Sequence, residues 1–178
     1  MIFECLKKFP FYVLMGKIHW LGRFIMTERT FIAIKPDGVK RNLIGRIITE
    51  FEEKGYKIIG LKLLIPTLEH AEKHYAEHKG KPFYPRLIKY ITSGPIVAMV
   101  IEGKNVIAES RRMMGSTKPE EAEAGTIRFK YAIAMEYNII HGSDSPESAE
   151  REIAIYFKEE ELCPNWTTML EMIMADEK

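Results

Sequence analysis

The sequence predicts an α/β domain built on one sheet, and three observations predict it. Short apolar runs alternate singly with segments of helical period. Glycine and proline punctuate nearly every junction between them. The chain has 178 residues, enough for one sizeable core and too few for two ordinary domains.

Residues 29–35 (RTFIAIK) read as the first strand, a short run of β-branched and aromatic residues. Pro36-Asp37-Gly38 marks a turn, and Asn42 is the expected cap of the next helix. There Ile44, Ile47, Ile48 and Phe51 fall at i, i+3, i+4 and i+7, one apolar stripe. Gly55 stands where a left-handed residue closes a helix. Residues 56–65 form the second strand, with Ile59, Leu61, Leu63 and Ile65 expected on one face, and Pro66 ends it. Residues 68–78 and 83–90 read as two helices, split by Gly80-Lys81-Pro82. IVAMVI at 96–101 is a continuous apolar run, the pattern of a central strand. A helix over 105–113 leads into a polar loop, 115–126, holding Pro119 and Gly125; loops of this length usually serve function or subunit contact. Ile139 and Ile140 belong to a last short strand. Ser145 then caps a helix with Pro146 at its first position, and Ala149, Ile153, Tyr156 and Phe157 face the core. The first connecting helix is only about three turns long. The pattern alone permits a doubly wound parallel sheet or a ferredoxin-like split βαβ sheet.

Lys plus Arg (26) nearly balances Asp plus Glu (25), so bulk charge argues for neither a nucleic-acid nor a membrane partner. Cys5 and Cys163 fit no CxxC or zinc spacing and are expected as reduced thiols, which suits a cytoplasmic location. Residues 1–25 differ from the rest. They are apolar and aromatic, but Lys7, Lys8, Lys17 and Arg23 interrupt any bilayer-spanning run, and no signal-peptide cleavage site is present. An ordered extension, a peripheral membrane contact and a gene-start artefact are the three accounts. The last is preferred, with translation beginning at Met26 and the functional domain over residues 26–178.

The chemistry concentrates at Asn138-Ile139-Ile140-His141-Gly142-Ser143-Asp144-Ser145. Here a histidine ends a short strand just before a capped helix, where sites form and anions are favoured. Neutral imidazole is a competent nucleophile, and a carboxylate accepting its other ring N–H would fix the tautomer; Glu152 is placed for that. A phosphoryl-transfer site also needs cations and donors spread over the phosphates. Lys35 ends the first strand, Arg111 and Thr117 bracket the start of the long loop, Arg128 follows it, and Tyr75 and His78 lie on an earlier helix. No P-loop and no protein-kinase motif is present.

NIIHGSDS resembles the signature of the nucleoside diphosphate kinase family. TFIAIKPDGV resembles the family's first strand and lysine turn, HYAEHKGKPFYPRLIKYITSGP its nucleotide-binding helical hairpin, GTIR the segment before the catalytic strand and SAEREI the helix after it. They occur in family order over residues 27–166. The resemblance implies a ferredoxin-like α+β sandwich, βαββαβ, whose four-stranded antiparallel sheet is covered by helices. It implies a kinase moving the γ-phosphate of a nucleoside triphosphate, typically ATP, to a diphosphate by a ping-pong route through phosphohistidine at His141. Glu152 would orient His141, with Ser143 hydrogen-bonded nearby. Lys35, Tyr75, Arg111, Thr117, Arg128 and Asn138 match positions that hold phosphates and ribose hydroxyls or line the histidine, with His78 a phosphate neighbour. Phe83 would stack on the base beside Leu87. Mg2+ would arrive with the phosphates, with no direct protein ligands assigned. The loop around Pro119 matches a subunit-contact loop, implying a homohexamer or homotetramer. Two departures stand out: Phe129-Lys130-Tyr131 where the family commonly has Gly-Asp-Phe, and Met135 where it often has valine against the base.

Two other classes are compatible with the residues. His70, His74 and His78 repeat at i, i+4, i+8 and offer a metal-binding stripe along one helix face, although no cysteine or carboxylate completes a familiar ligand spacing. An idle nucleotide- or nucleic-acid-binding regulator could use the same fold. The intact set of His141, Lys35, Arg111 and Arg128 argues against it.

Overall fold

The computed structural model describes residues 27–169 and residue 172. Residues 1–25, and with them the gene-start expectation, lie outside the described part. Four strands form one sheet: β1 (Thr27–Ile34), β2 (Lys57–Leu64), β3 (Ile96–Lys104) and β4 (Ile140–Gly142). Their spatial order is β2-β3-β1-β4, and every neighbouring pair is antiparallel. This is the ferredoxin-like arrangement, and it overturns the parallel alternative that pattern left open.

Helices cover both faces, so the central strands bury side chains on both sides and read as continuous apolar runs. In β1, Ile32 and Ile34 face one core, where Ile47 and Phe51 of the helix Ile44–Glu53 and Val106 and Met114 of the helix Val106–Met114 meet them. Phe31 and Ala33 face a second core with Ala71, Ile91, Ile153 and Tyr156. Numbered in chain order, the helices are α1 (Pro36–Lys40), α2 (Ile44–Glu53), α3 (Leu68–His74), α4 (Tyr84–Ile91), α5 (Val106–Met114), α6 (Ile127–Tyr131) and α7 (Pro146–Tyr156).

Several local expectations need correction. Pro36-Asp37-Gly38 opens the short helix α1 rather than a bare turn. Asn42 does not cap α2: it has φ +58°, and Leu43 is the N-cap residue. Asn tolerates the left-handed region, so Asn42 turns the chain between α1 and α2. Residues 68–78 are not one helix; α3 stops at His74 and a 3-10 turn, Ala76–His78, follows. The expected common face of Ile59, Leu61, Leu63 and Ile65 is broken by a bulge between Ile58 and Gly60. Ile59 is 2% exposed, whereas Leu61, Leu63 and Ile65 are 53%, 65% and 64% exposed. The extra residue sends Ile59 and Gly60 to the same side, so every later side chain changes face.

Candidate functional site

His141 sits on β4 opposite Ala33 of the central strand β1. Tight packing fixes this crossing. A Cβ on Gly142 would lie 2.5 Å from Cε of Met114 and 3.0 Å from Cδ1 of Ile32, so glycine lets β4 lie this close to the core without moving the end of the Met114 side chain. The residue before the strand is strained. Ile139 has φ +70°, and the Ile140 N–H donates to the Asn138 carbonyl at 2.7 Å, the i to i+2 bond of a γ-turn. A β-branched residue in that region costs about 1–3 kcal/mol and persists only when its surroundings fix it. Here they do: the Ile139 N–H donates to Oδ2 of Asp37 at 3.1 Å, and the Lys35 N–H donates to the Ile139 carbonyl at 2.8 Å. Tyr90 in turn donates its hydroxyl to Oδ1 of Asp37.

Behind His141, α7 supplies Glu152, which is 4% exposed. Nε2 of His141 lies 2.8 Å from Oε2 of Glu152. Ser143 donates its hydroxyl to the same oxygen at 2.7 Å. The carboxylate is thereby fixed, and the imidazole presents Nδ1 as its unengaged nitrogen when Nε2 carries the proton. The start of α7 is secured by a capping box: Ser145 Oγ accepts from the Ser148 N–H at 3.1 Å, and the Ser145 N–H donates to Ser148 Oγ at 2.9 Å.

In front of His141 opens a cleft of about 460 Å³. Ten of the twelve sequence-selected residues line it; Glu152 and Ser143 are the two that stand behind the histidine. Lys35, at the end of β1, donates Nζ to Asn138 Oδ1 at 2.6 Å. Burial, with the Arg128 guanidinium second, lowers the Lys35 ammonium to about 8. Arg128, only 4% exposed, comes from α6 and donates to the Gly115 and Ile140 carbonyls at 2.6 and 2.9 Å. Its burial, helped by Arg111, brings it down to about 10. Arg111 on α5 donates to the Gly142 carbonyl at 3.1 Å. The two arginines therefore tether the backbone on either side of His141. Asn138 also donates to the Thr117 carbonyl at 3.2 Å, holding the long loop to the cleft. Tyr75 closes α3 beside His78, and its burial pushes the phenol well above its ordinary range. Phe83 precedes α4 at the opposite wall, 43% exposed, with Leu87 one turn on. Met135 faces into the same cleft.

The sequence missed several members. Arg86 on α4 pairs with Glu136 across the cleft mouth. Asp37 and Tyr90 support the γ-turn. His74 is 4% exposed and packs edge-on against His141, ring centroids 4.5 Å apart and planes 72° apart. Burial first, then His141, holds its pKa well below the usual histidine range. The alternative His70-His74-His78 stripe is not formed. His70 faces Thr67 in the α3 cap, His74 is inside, and His78 lies past the helix end beside Lys81. The departure Phe129-Lys130-Tyr131 forms most of α6, with Lys130 paired to Glu50 at 2.6 Å.

A cleft walled by Lys35, Arg111 and Arg128, with an oriented imidazole at its base, suits polyanions and group transfer to nitrogen. The class this defines is a phosphotransferase on a ferredoxin-like sandwich. The family model described as nucleoside diphosphate kinase matches residues 28–162. The nucleoside diphosphate kinase of Carboxydothermus hydrogenoformans is 63% identical over 135 residues, covering 76% of this chain and 91% of that protein. That of Thermosynechococcus vestitus is 58% identical over 137 residues, covering 77% and 91%. Among solved structures, a halophilic nucleoside diphosphate kinase from Halobacterium salinarum, in complex with CDP, superposes with TM-score 0.79 at 45% identity, covering 82% of this chain and 97% of that one. A family member from Babesia bovis gives TM-score 0.79 at 43% identity, covering 83% and 99%. The chain belongs to the nucleoside diphosphate kinase family, and its activity is phosphoryl transfer between nucleoside triphosphates and diphosphates.

Proposed function

We propose that His141 carries the phosphoryl group between two nucleotides that use the cleft in turn. The observation that supports this most is the 2.8 Å contact of His141 Nε2 with Glu152, which leaves Nδ1 for chemistry. In the first half-reaction the Nδ1 lone pair attacks the γ-phosphorus of a triphosphate, typically ATP. An N–P bond forms as the bond to the β-phosphate oxygen breaks, and the diphosphate leaves with that electron pair. Glu152 stabilises the charge that the ring gains, and Ser143 holds Glu152 in place. A second diphosphate then attacks the phosphohistidine and restores Nδ1. One cleft serves both halves, so donor and acceptor need the same contacts.

Lys35, Arg111, Arg128 and Thr117 receive the phosphate oxygens, with Tyr75 and His78 beside them. Lys35 and Asn138 also serve the ribose hydroxyls. Phe83 and Leu87 take the base, and stacking accepts any π-face, which suits broad base tolerance and the upkeep of triphosphate pools. The cleft offers cations and amides rather than a cage of carboxylates, and Glu136 is paired to Arg86. This donor set fits Mg2+ carried in by the phosphates, which would neutralise oxygen charge there. On this reading the transferase domain is residues 26–178, working in the cytoplasm as a homohexamer or homotetramer and needing neither membrane nor nucleic acid. Among the described residues no helix is long and apolar enough to cross a membrane.

The test is to incubate the protein with γ-labelled ATP and Mg2+, quench without acceptor, and map the label. An acid-labile label on His141 that chases onto added GDP is expected, and His141→Ala should lose it while still binding nucleotide. Label at another residue, or turnover without His141, would overturn the assignment.

A further inference from the structure

His141 has a second imidazole behind it that the transfer reaction does not use. His74, His141 and Glu152 each bring one ligand atom into a group whose members all lie within 4.8 Å of one another. His74 and Glu152 are both 4% exposed. Nδ1 of His74 is buried without a hydrogen-bond partner in the protein, a deficit that a native fold rarely leaves unused. We propose that these three side chains form a site for a borderline-soft divalent transition metal, with zinc as its probe, and that filling it stops phosphoryl transfer.

Two imidazoles and one carboxylate make a zinc ligand set that leaves a fourth position for water or a phosphate oxygen. Zinc bonds of about 2.0–2.2 Å need donors roughly 3.3 Å apart, so separations that reach at most 4.8 Å must close by up to about 1.5 Å on binding. His141, which is partly exposed and lines the cleft, gives the ion its way in. Mg2+ prefers six oxygens and does not compete for this nitrogen-rich set. Either mode of His141 ligation ends its chemistry. At Nδ1 the metal occupies the lone pair that attacks phosphorus. At Nε2 it takes the lone pair there, and the single ring proton moves to Nδ1, where it occupies the nitrogen that attacks phosphorus.

The inference of inhibition rests on His141 as the phosphate carrier; the metal site itself does not. Direct titration of zinc chloride into nucleotide-free protein, by calorimetry, tests the site alone. One zinc per chain is expected, with affinity reduced at least tenfold in His74→Phe and in the smaller-change variant His74→Gln, each shown folded by circular dichroism. Zinc under constant excess Mg2+ should also suppress labelling of wild-type His141 by γ-labelled ATP. Equal affinity in the wild type and both variants, as expected for a surface site such as exposed Cys163, would overturn the proposal. So would full labelling in zinc-saturated enzyme. Labelling of zinc-free enzyme tests the carrier role separately, so the two readings fail independently.

Discussion

At the scale of single residues, Lys35 is expected to set the alkaline limb in the pH response of the free enzyme. Burial sets its ammonium near 8 against an ordinary 10.5. Its charge is present below about 8 and is lost as pH rises through that value. The kcat/KM profile, which reports the free enzyme, should therefore fall through a limb near pH 8. Bound phosphates favour the charged form, so the corresponding limb in kcat should lie at higher pH. Coincident limbs would remove Lys35 from phosphate binding. The sign for folding is opposite: the unfolded chain keeps its proton up to about 10.5, so the nucleotide-free protein gains stability between about pH 8 and 10.5 from this group. Residues such as His141, Glu152 and Lys35 were legible in the sequence because each lies at a strand end or at helical spacing from a recognisable segment. Asp37, Tyr90 and His74 were not. Their partners are distant in the chain: Asp37 reaches Ile139, and His74 reaches His141, through tertiary packing that no local pattern encodes.

At the scale of elements, α7 is the support on which the nucleophile is oriented, and its N-terminus is fastened by Ser145 and Ser148. Ser145→Ala removes the acceptor for the Ser148 N–H and should cost about 1 kcal/mol of unfolding free energy. For a domain of this size that lowers Tm by roughly 2–4 °C. Urea denaturation checks it, and an unchanged midpoint would mean that Asp144 and the backbone alone hold the turn. This helix was legible because cap, proline and apolar stripe agree on one answer. Helix α6 was not, since five residues from Ile127 to Tyr131 are too few to show a period. The bulge in β2 was also hidden. An alternating run looks the same with or without an inserted residue, and only pairing with β3 reveals the change of face.

For the whole molecule, the direction of the strands was beyond the residue pattern. A strand buried on both faces gives the same apolar run in a parallel or an antiparallel sheet, so only the family resemblance chose between them. Assembly follows from what the sheet leaves uncovered. β2 is an edge strand, and past its bulge it presents Leu61 and Leu63, with Ile65 just beyond its end, all more than half exposed. An apolar edge of this kind is a template for pairing with another chain, and proteins that remain monomeric blunt it with charge, proline or a covering element. Lys62 is unavailable for that task, because it turns inward over Phe157 and pairs with Glu161 at 2.6 Å. In the proposed homo-oligomer this edge is expected to meet its counterpart on a second copy, separately from any contact made by the loop around Pro119. Replacing both Leu61 and Leu63 with Glu sets like charges against each other across such a contact, while neither side chain belongs to a core. Light scattering should then give a smaller assembly for the double variant than for the wild type, with the circular dichroism spectrum retained. An assembly of unchanged mass would leave the Pro119 loop as the contact to pursue and would take the β2 edge out of the account.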